Sequence, residues 1–182
     1  MLNEVQQVIN SADLLYNTDQ VEAAIDKMAD NITLLLAERA PLLLCVMNGG
    51  IVLGGKLITR LNFPLTLDSI NASRYRNRTY GSEIEWIHKP TTILENRTVL
   101  IVDDVLDEGF TLRAIYDYCQ AQGASSIYTA VLVNKNLGDV KPIEADFIGL
   151  EAENRYLFGY GMDYKGYCRN AAGIYACKEE SE

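Results

Sequence analysis

The sequence predicts an α/β fold, a parallel central sheet flanked by helices, and three observations predict it. Residues 42–47, 98–102 and 126–133 are continuous apolar runs without polar alternation, as expected of strands buried on both faces. Amphipathic helical patterns alternate with these runs along the chain. Each run gives way abruptly to polar or glycine-rich residues, which puts the informative loops at the carboxyl ends of the strands, where such sheets bind ligands.

Taken in order, Thr18 and Asp19 are suited to cap a helix, in which Val21, Ile25, Met28, Ile32, Leu35 and Leu36 recur at helical spacing; Pro41 ends it. Residues 42–47 form a strand, broken by Asn48-Gly49-Gly50. A helix over 51–61 and a strand over 65–70 follow. The polar, basic stretch 73–82 separates that strand from another at 83–87. Residues 98–102 make a buried strand running straight into acidic residues, 111–122 a helix closed by Gly123, and 126–133 another strand. Short apolar stretches at 147–150 and 156–160 complete the pattern. No repeat or Pro/Ser-rich linker marks a boundary, so residues 1–182 read as a single domain.

Composition excludes several functions. A formal net charge of −9 argues against broad nucleic-acid binding, which needs a basic face, but not against a small anion held by a few local cations. No apolar run approaches the roughly 20 residues that span a bilayer, and residues 1–10 lack a signal-peptide layout. The expectation is a cytoplasmic protein with no membrane partner. Cys45, Cys119, Cys168 and Cys177 are scattered, and with one histidine a Cys/His zinc site is hard to assemble, so the thiols are expected to be reduced. That histidine, His88, is far from any motif and reads as a surface residue.

The segment Val99-Leu-Ile-Val-Asp103-Asp104-Val-Leu-Asp107-Glu108-Gly109-Phe110-Thr111 carries the chemistry. A helix start presents unpaired N–H groups and a positive dipole end, which suit a phosphate. Gly109 permits close backbone approach, and the Thr111 hydroxyl adds a donor. Asp103 and Asp104 are placed to accept hydrogen bonds from vicinal sugar hydroxyls. Phosphate at one end and hydroxyls at the other describe a ribose 5-phosphate. The plainer alternative makes Asp107 a helix cap and Asp103 and Asp104 solvated loop residues.

This segment resembles the signature loop of the type I phosphoribosyltransferases, and residues 94–112 are similar to the hypoxanthine-guanine branch of that family. The resemblance covers roughly residues 42–170. It implies a small hood subdomain built from the N-terminal segment and the C-terminal part. It assigns the ribose hydroxyls to Asp103 and Asp104 and the 5′-phosphate to Asp107, Glu108, Gly109, Phe110 and Thr111, with Asp107 also a general acid/base near purine N7. Glu108 stands where a small hydroxyl residue is usual and is expected to point away from the phosphate; Phe110 replaces a residue that is often polar. The stretch Cys45-Val-Met-Asn48-Gly49-Gly50 resembles the family's pyrophosphate loop, which implies a cis peptide at Met47-Asn48 and pyrophosphate contacts from Asn48 and Gly49. Asn48 replaces a residue that is basic in many members. Arg74 and Tyr75, in a segment holding three arginines, fall at the family's mobile lid.

The C-terminal half resembles the family's base site. Lys135 implies a donor to the purine 6-oxo group, which would select against adenine. Tyr156, Asp163 and Arg169 match a block in which an aromatic stacks on the base, an aspartate meets magnesium and an arginine contacts pyrophosphate. The reading is a Mg2+-dependent transfer of a phosphoribosyl group from 5-phosphoribosyl-1-pyrophosphate to N9 of hypoxanthine or guanine, by a homodimer or homotetramer. The alternatives are a xanthine-preferring enzyme, a transcription regulator of the same fold that senses phosphoribosyl pyrophosphate, and a receiver-like signalling module.

Overall fold

A computed structural model describes residues 1–74 and 84–178. The element order is α1 (Leu2–Ser11), β1 (Asp13–Asn17), α2 (Thr18–Leu36), β2 (Leu42–Val46), α3 (Ile51–Ile58), β3 (Thr66–Arg74), β4 (Ile84–His88), β5 (Thr98–Leu106), α4 (Phe110–Ala121), β6 (Ser126–Asn136), β7 (Phe147–Glu153), β8 (Leu157–Phe158) and β9 (Gly173–Ala176). The six-stranded sheet runs β4-β3-β2-β5-β6-β7, and a three-stranded sheet runs β1-β9-β8.

The central sheet is parallel except at one edge, where β4 pairs antiparallel with β3. The connection explains the exception, since a parallel crossover needs a dozen or more residues and only 75–83 lie between the two strands. Alternate residues of β2 serve two cores. Leu43 and Cys45 join the α2 and α3 side with Ile25, Ile32 and Leu57, whereas Leu42, Leu44 and Val46 join the α4 side with Leu112, Ile115 and Cys119. With both faces covered, the strand has no polar face to present, which is why its sequence is apolar throughout.

Several boundaries differ from the sequence pattern. Asn17, and not Thr18 or Asp19, caps α2: its side chain accepts from Gln20 N while the Gln20 side chain accepts from Asn17 N, a reciprocal capping box. Helix α3 stops at Ile58, short of 61. Strands β3, β5 and β6 all run further than their apolar cores. In β5 the ladder continues through Asp103 to Leu106, so Asp103 and Asp104 are strand residues and not loop residues. Helix α1 and strands β1 and β9 had no distinct signature. They are held by long-range contacts that no local pattern encodes: Lys165 to Glu4 of α1 (2.5 Å), Arg155 to Asp13 of β1 (2.6 Å), and the antiparallel pairing of β1 with β9.

All four cysteines are free, three of them buried. Burial pushes the Cys119 thiol up to about 12. His88 is exposed at the end of β4. No helix among the described residues is long and apolar enough to cross a membrane.

Candidate active site

At the carboxyl ends of β2, β5 and β6 lies a cavity of about 440 Å³. Its wall contains Asn48, Gly49, every residue from Asp103 to Thr111, Lys135, Tyr156, Asp163 and Arg169. The parallel register produces this convergence. Cys45 lies beside Val102, and Asp103 beside Val131, so three loops distant in sequence open on one edge. The Arg74 side chain and Tyr75, expected at a lid, lie outside the described residues.

The β2–α3 loop carries a cis Met47–Asn48 peptide, as the resemblance implied. Its Gly50 N–H donates to the Val46 carbonyl (2.8 Å) and its Ile51 N–H to the Asn48 carbonyl (3.4 Å). Among the described residues the Asn48 and Gly49 amides have no such partner, so they are the loop's available donors for an anion. A side chain at Gly49 would force a shift, because a Cβ there would stand 2.2 Å from Asp104 Oδ2.

Asp103 and Asp104 sit deep in the wall, Asp104 at only 8% exposure. Burial, then the neighbouring Asp104 charge, holds the Asp103 carboxyl well above the usual range. Asp104 is also raised by burial, opposed by its bond with Asp103 and by the Arg169 charge. Two desolvated carboxyls side by side are relieved by keeping a proton or by meeting a donor or cation, and vicinal hydroxyls are such donors.

Helix α4 begins at Phe110 with Gly109 as its N-cap, and no side chain caps it. Gly109 adopts φ +83°, the left-handed region that favours glycine; space is not its constraint, since a Cβ would find only ordinary contacts at 3.4 Å. A helix start that no side chain caps among the described residues suits an anion. Asp107 does not cap the helix. Instead its Oδ2 accepts from Lys135 Nζ at 3.1 Å, pairing a lysine side chain 11% exposed with a carboxylate 45% exposed. Glu108 and Phe110 are exposed residues of the cavity wall.

Across the cavity, Arg169 ties the β8–β9 segment to β5. Its Nη2 lies 2.6 Å from Asp163 Oδ1, its Nη1 donates to the Gly161 carbonyl at 2.6 Å, and Asp104 Oδ2 is 3.9 Å away. Tyr156, 49% exposed, packs edge-on against Tyr164 with ring centroids 5.6 Å apart. Gly161 was not singled out in the sequence. Its φ of +109° and the 2.2 Å from its would-be Cβ to the Gly49 carbonyl make it the point where the C-terminal loop docks on the β2–α3 loop. Its position inside Tyr160-Gly161-Met162-Asp163 was the available signal. Among the described residues no cluster of three or more His, Cys, Asp or Glu side chains is grouped to hold a metal.

The start of α4, the carboxyl pair of β5 and the Gly-Gly loop after β2 thus meet at one cavity on the edge of a parallel sheet. The chain belongs to the phosphoribosyl transferase domain family, whose model matches residues 11–165. It is 28% identical over 180 residues to the hypoxanthine-guanine-xanthine phosphoribosyltransferase of Tritrichomonas foetus, covering 98% of this chain and 95% of that protein. Against the hypoxanthine-guanine phosphoribosyltransferase of Streptococcus thermophilus it is 29% identical over 168 residues, 92% and 93% of the two chains. A solved hypoxanthine-guanine-xanthine phosphoribosyltransferase superposes with a TM-score of 0.83 at 28% identity, covering 93% of this chain and 99% of that one.

Proposed function

We propose that this chain transfers the phosphoribosyl group of 5-phosphoribosyl-1-pyrophosphate to N9 of hypoxanthine or guanine, releasing pyrophosphate. The observation that carries the reading is the Lys135–Asp107 pair at the cavity wall. A 6-oxopurine presents O6 and N7 side by side along one edge. Lys135 donates to O6, and Asp107 accepts the N7 proton as N9 attacks the anomeric carbon. Adenine would set an amino group against an ammonium, two donors with no acceptor between them.

Asp103 and Asp104 accept from the ribose hydroxyls, and the start of α4, residues 107–111, takes the 5′-phosphate. Asn48 and Gly49 amides with Arg169 take the pyrophosphate, and Tyr156 covers one face of the base. Departure of pyrophosphate builds positive charge on the sugar, which the adjacent carboxylates stabilise. Magnesium fits the donor set, because it is held by one or two carboxylates together with substrate phosphates, and Asp163 supplies a carboxylate beside Arg169. When bound it would offset charge on the leaving pyrophosphate. The three-stranded sheet of β1, β9 and β8 would serve as the hood, completing a single domain. A cytoplasmic location and assembly as a homodimer or homotetramer belong to the same proposal.

Xanthine remains a candidate base, since it shares the 6-oxo edge and the Tritrichomonas foetus relative's name includes it. A sensor of phosphoribosyl pyrophosphate would have no use for Lys135, Tyr156 and Asp163 at one cavity. The test is nucleotide formation from magnesium, phosphoribosyl pyrophosphate and, separately, hypoxanthine, guanine, xanthine and adenine. Turnover with 6-oxopurines but not adenine is expected. Binding of phosphoribosyl pyrophosphate without turnover of any base would overturn the reading.

A further inference from the structure

We propose that Lys141 is a positioning residue, one that sets the spacing between Asp107 and Lys135 and thereby the fit of the base; this rests on the function proposed above. The ladder between β5 and β6 ends at the pair Leu106–Asn134, one residue before both Asp107 and Lys135. Beyond that pair no backbone ladder between these two strands fixes how far apart the two functional side chains stand. Lys141, in the segment between β6 and β7, closes the gap. Its Nζ donates to the Leu106 carbonyl at 2.7 Å, the Lys135 carbonyl at 2.6 Å and Asn134 Oδ1 at 2.8 Å. An ammonium has three donors, and all three are used by acceptors on the residue before Asp107, on Lys135 itself and on the residue before Lys135.

The clamp extends to the next strand. Asn134, whose Oδ1 faces Lys141, donates through Nδ2 to both carboxylate oxygens of Glu151 on β7, at 3.2 and 2.9 Å. Lys141 thus ties the ends of three neighbouring strands at the cavity's base-facing corner. With every donor engaged, it acts through the backbone and not on a ligand. Burial pulls its basicity down, opposed by the charges of Asp107 and Glu151, as suits an ammonium held inside the fold.

The experiment compares wild type, Lys141→Met and the control Val140→Ala, whose parent side chain is 99% exposed. Calorimetry measures binding of inosine monophosphate, which carries the 6-oxopurine, and of ribose 5-phosphate, which does not. Lys141→Met is expected to weaken inosine monophosphate roughly 10- to 100-fold, the range for misaligned hydrogen bonds to charged groups, while ribose 5-phosphate changes less than about threefold. The Michaelis constant for hypoxanthine should rise, and that for phosphoribosyl pyrophosphate should hold. Retained ribose 5-phosphate binding also certifies that the variant folds. Equal losses toward both ligands, or no loss toward either, overturn the assignment. Wild-type protein that binds ribose 5-phosphate but not inosine monophosphate would overturn the base-binding reading itself, and the proposal with it.

Discussion

Gly49→Ala adds one methyl group at the point where the β2–α3 loop meets β5, and its consequence follows from distances. The new Cβ would stand 2.2 Å from Asp104 Oδ2, 2.4 Å from Cγ and 2.7 Å from Oδ1. That is about 1 Å or more inside van der Waals separation, so either the loop or the carboxylate must withdraw. The carboxylate has little room, being buried, with Gly161 packed behind it at a would-be 3.4 Å from Asp104 Cβ and Arg169 at 3.9 Å. Overpacking of this kind costs about 1–3 kcal/mol in stability. Displacing by about 1 Å the carboxyl proposed to hold the ribose should lower kcat/KM for phosphoribosyl pyrophosphate by roughly 10²-fold. Gly55→Ala supplies the internal control. It lies in α3 with nothing within 4 Å of its would-be Cβ, so alanine should stabilise by about 0.5–1 kcal/mol. The assay is thermal melting of both variants with steady-state kinetics for phosphoribosyl pyrophosphate. Gly49→Ala with kinetics within about threefold of wild type would refute the steric argument.

Asp107→Asn should lower kcat about 10²- to 10⁴-fold with little change in phosphoribosyl-pyrophosphate affinity; an equal loss in both counts against a proton-transfer role. Asp103 ionises less readily folded than unfolded, so its contribution to stability is fully present below its ordinary 3.8 and is lost as pH rises through the folded value. Asp103→Asn should therefore melt higher than wild type at neutral pH, by a margin that shrinks toward pH ~4, while losing ribose affinity; a margin independent of pH would rule this out. Asp68 behaves oppositely. Although burial alone would raise it, bonds from the Thr92 side chain and the backbone amides of Thr92, Ser69 and Thr91 bring it down to about 2. Asp68→Asn should lose about 2 kcal/mol of stability at pH 7, a difference that fades as acid takes the wild type from pH ~4 to ~2; urea titrations along that pH series check it.

The parts of the site legible in the sequence were those that lie contiguously in it. Asp103 to Thr111 is one strand, turn and helix start, and local chemistry sufficed to suggest sugar and phosphate before any contact was known. Whether Asp107 caps α4 was not a local matter. It was decided by Lys135, 28 residues further on, whose ammonium takes the carboxylate that a cap would have used. The length of β5 was hidden for a similar reason. Aspartates are poor strand residues by propensity, and here the β6 ladder and the cavity, rather than propensity, keep Asp103 and Asp104 extended.

By itself, then, the amino-acid sequence determined the α/β class, the buried strands and the acidic strand-turn-helix segment, because apolar periodicity and turn chemistry act over a few residues. Only the tertiary structure decided which glycine is needed for φ and which for space, as at Gly109 and Gly49. It alone showed that Gly161 docks against Gly49, that Arg169 pairs with Asp163, and that Lys141 spans the ends of β5 and β6. The antiparallel edge strand and the three-stranded sheet joining β1 to β9 also emerged only there. The pairing of β1 with β9 and the meeting of the β2, β5 and β6 loops depend on the register of strands distant along the chain, and register is settled by the packing of both sheet faces together, not by any segment alone.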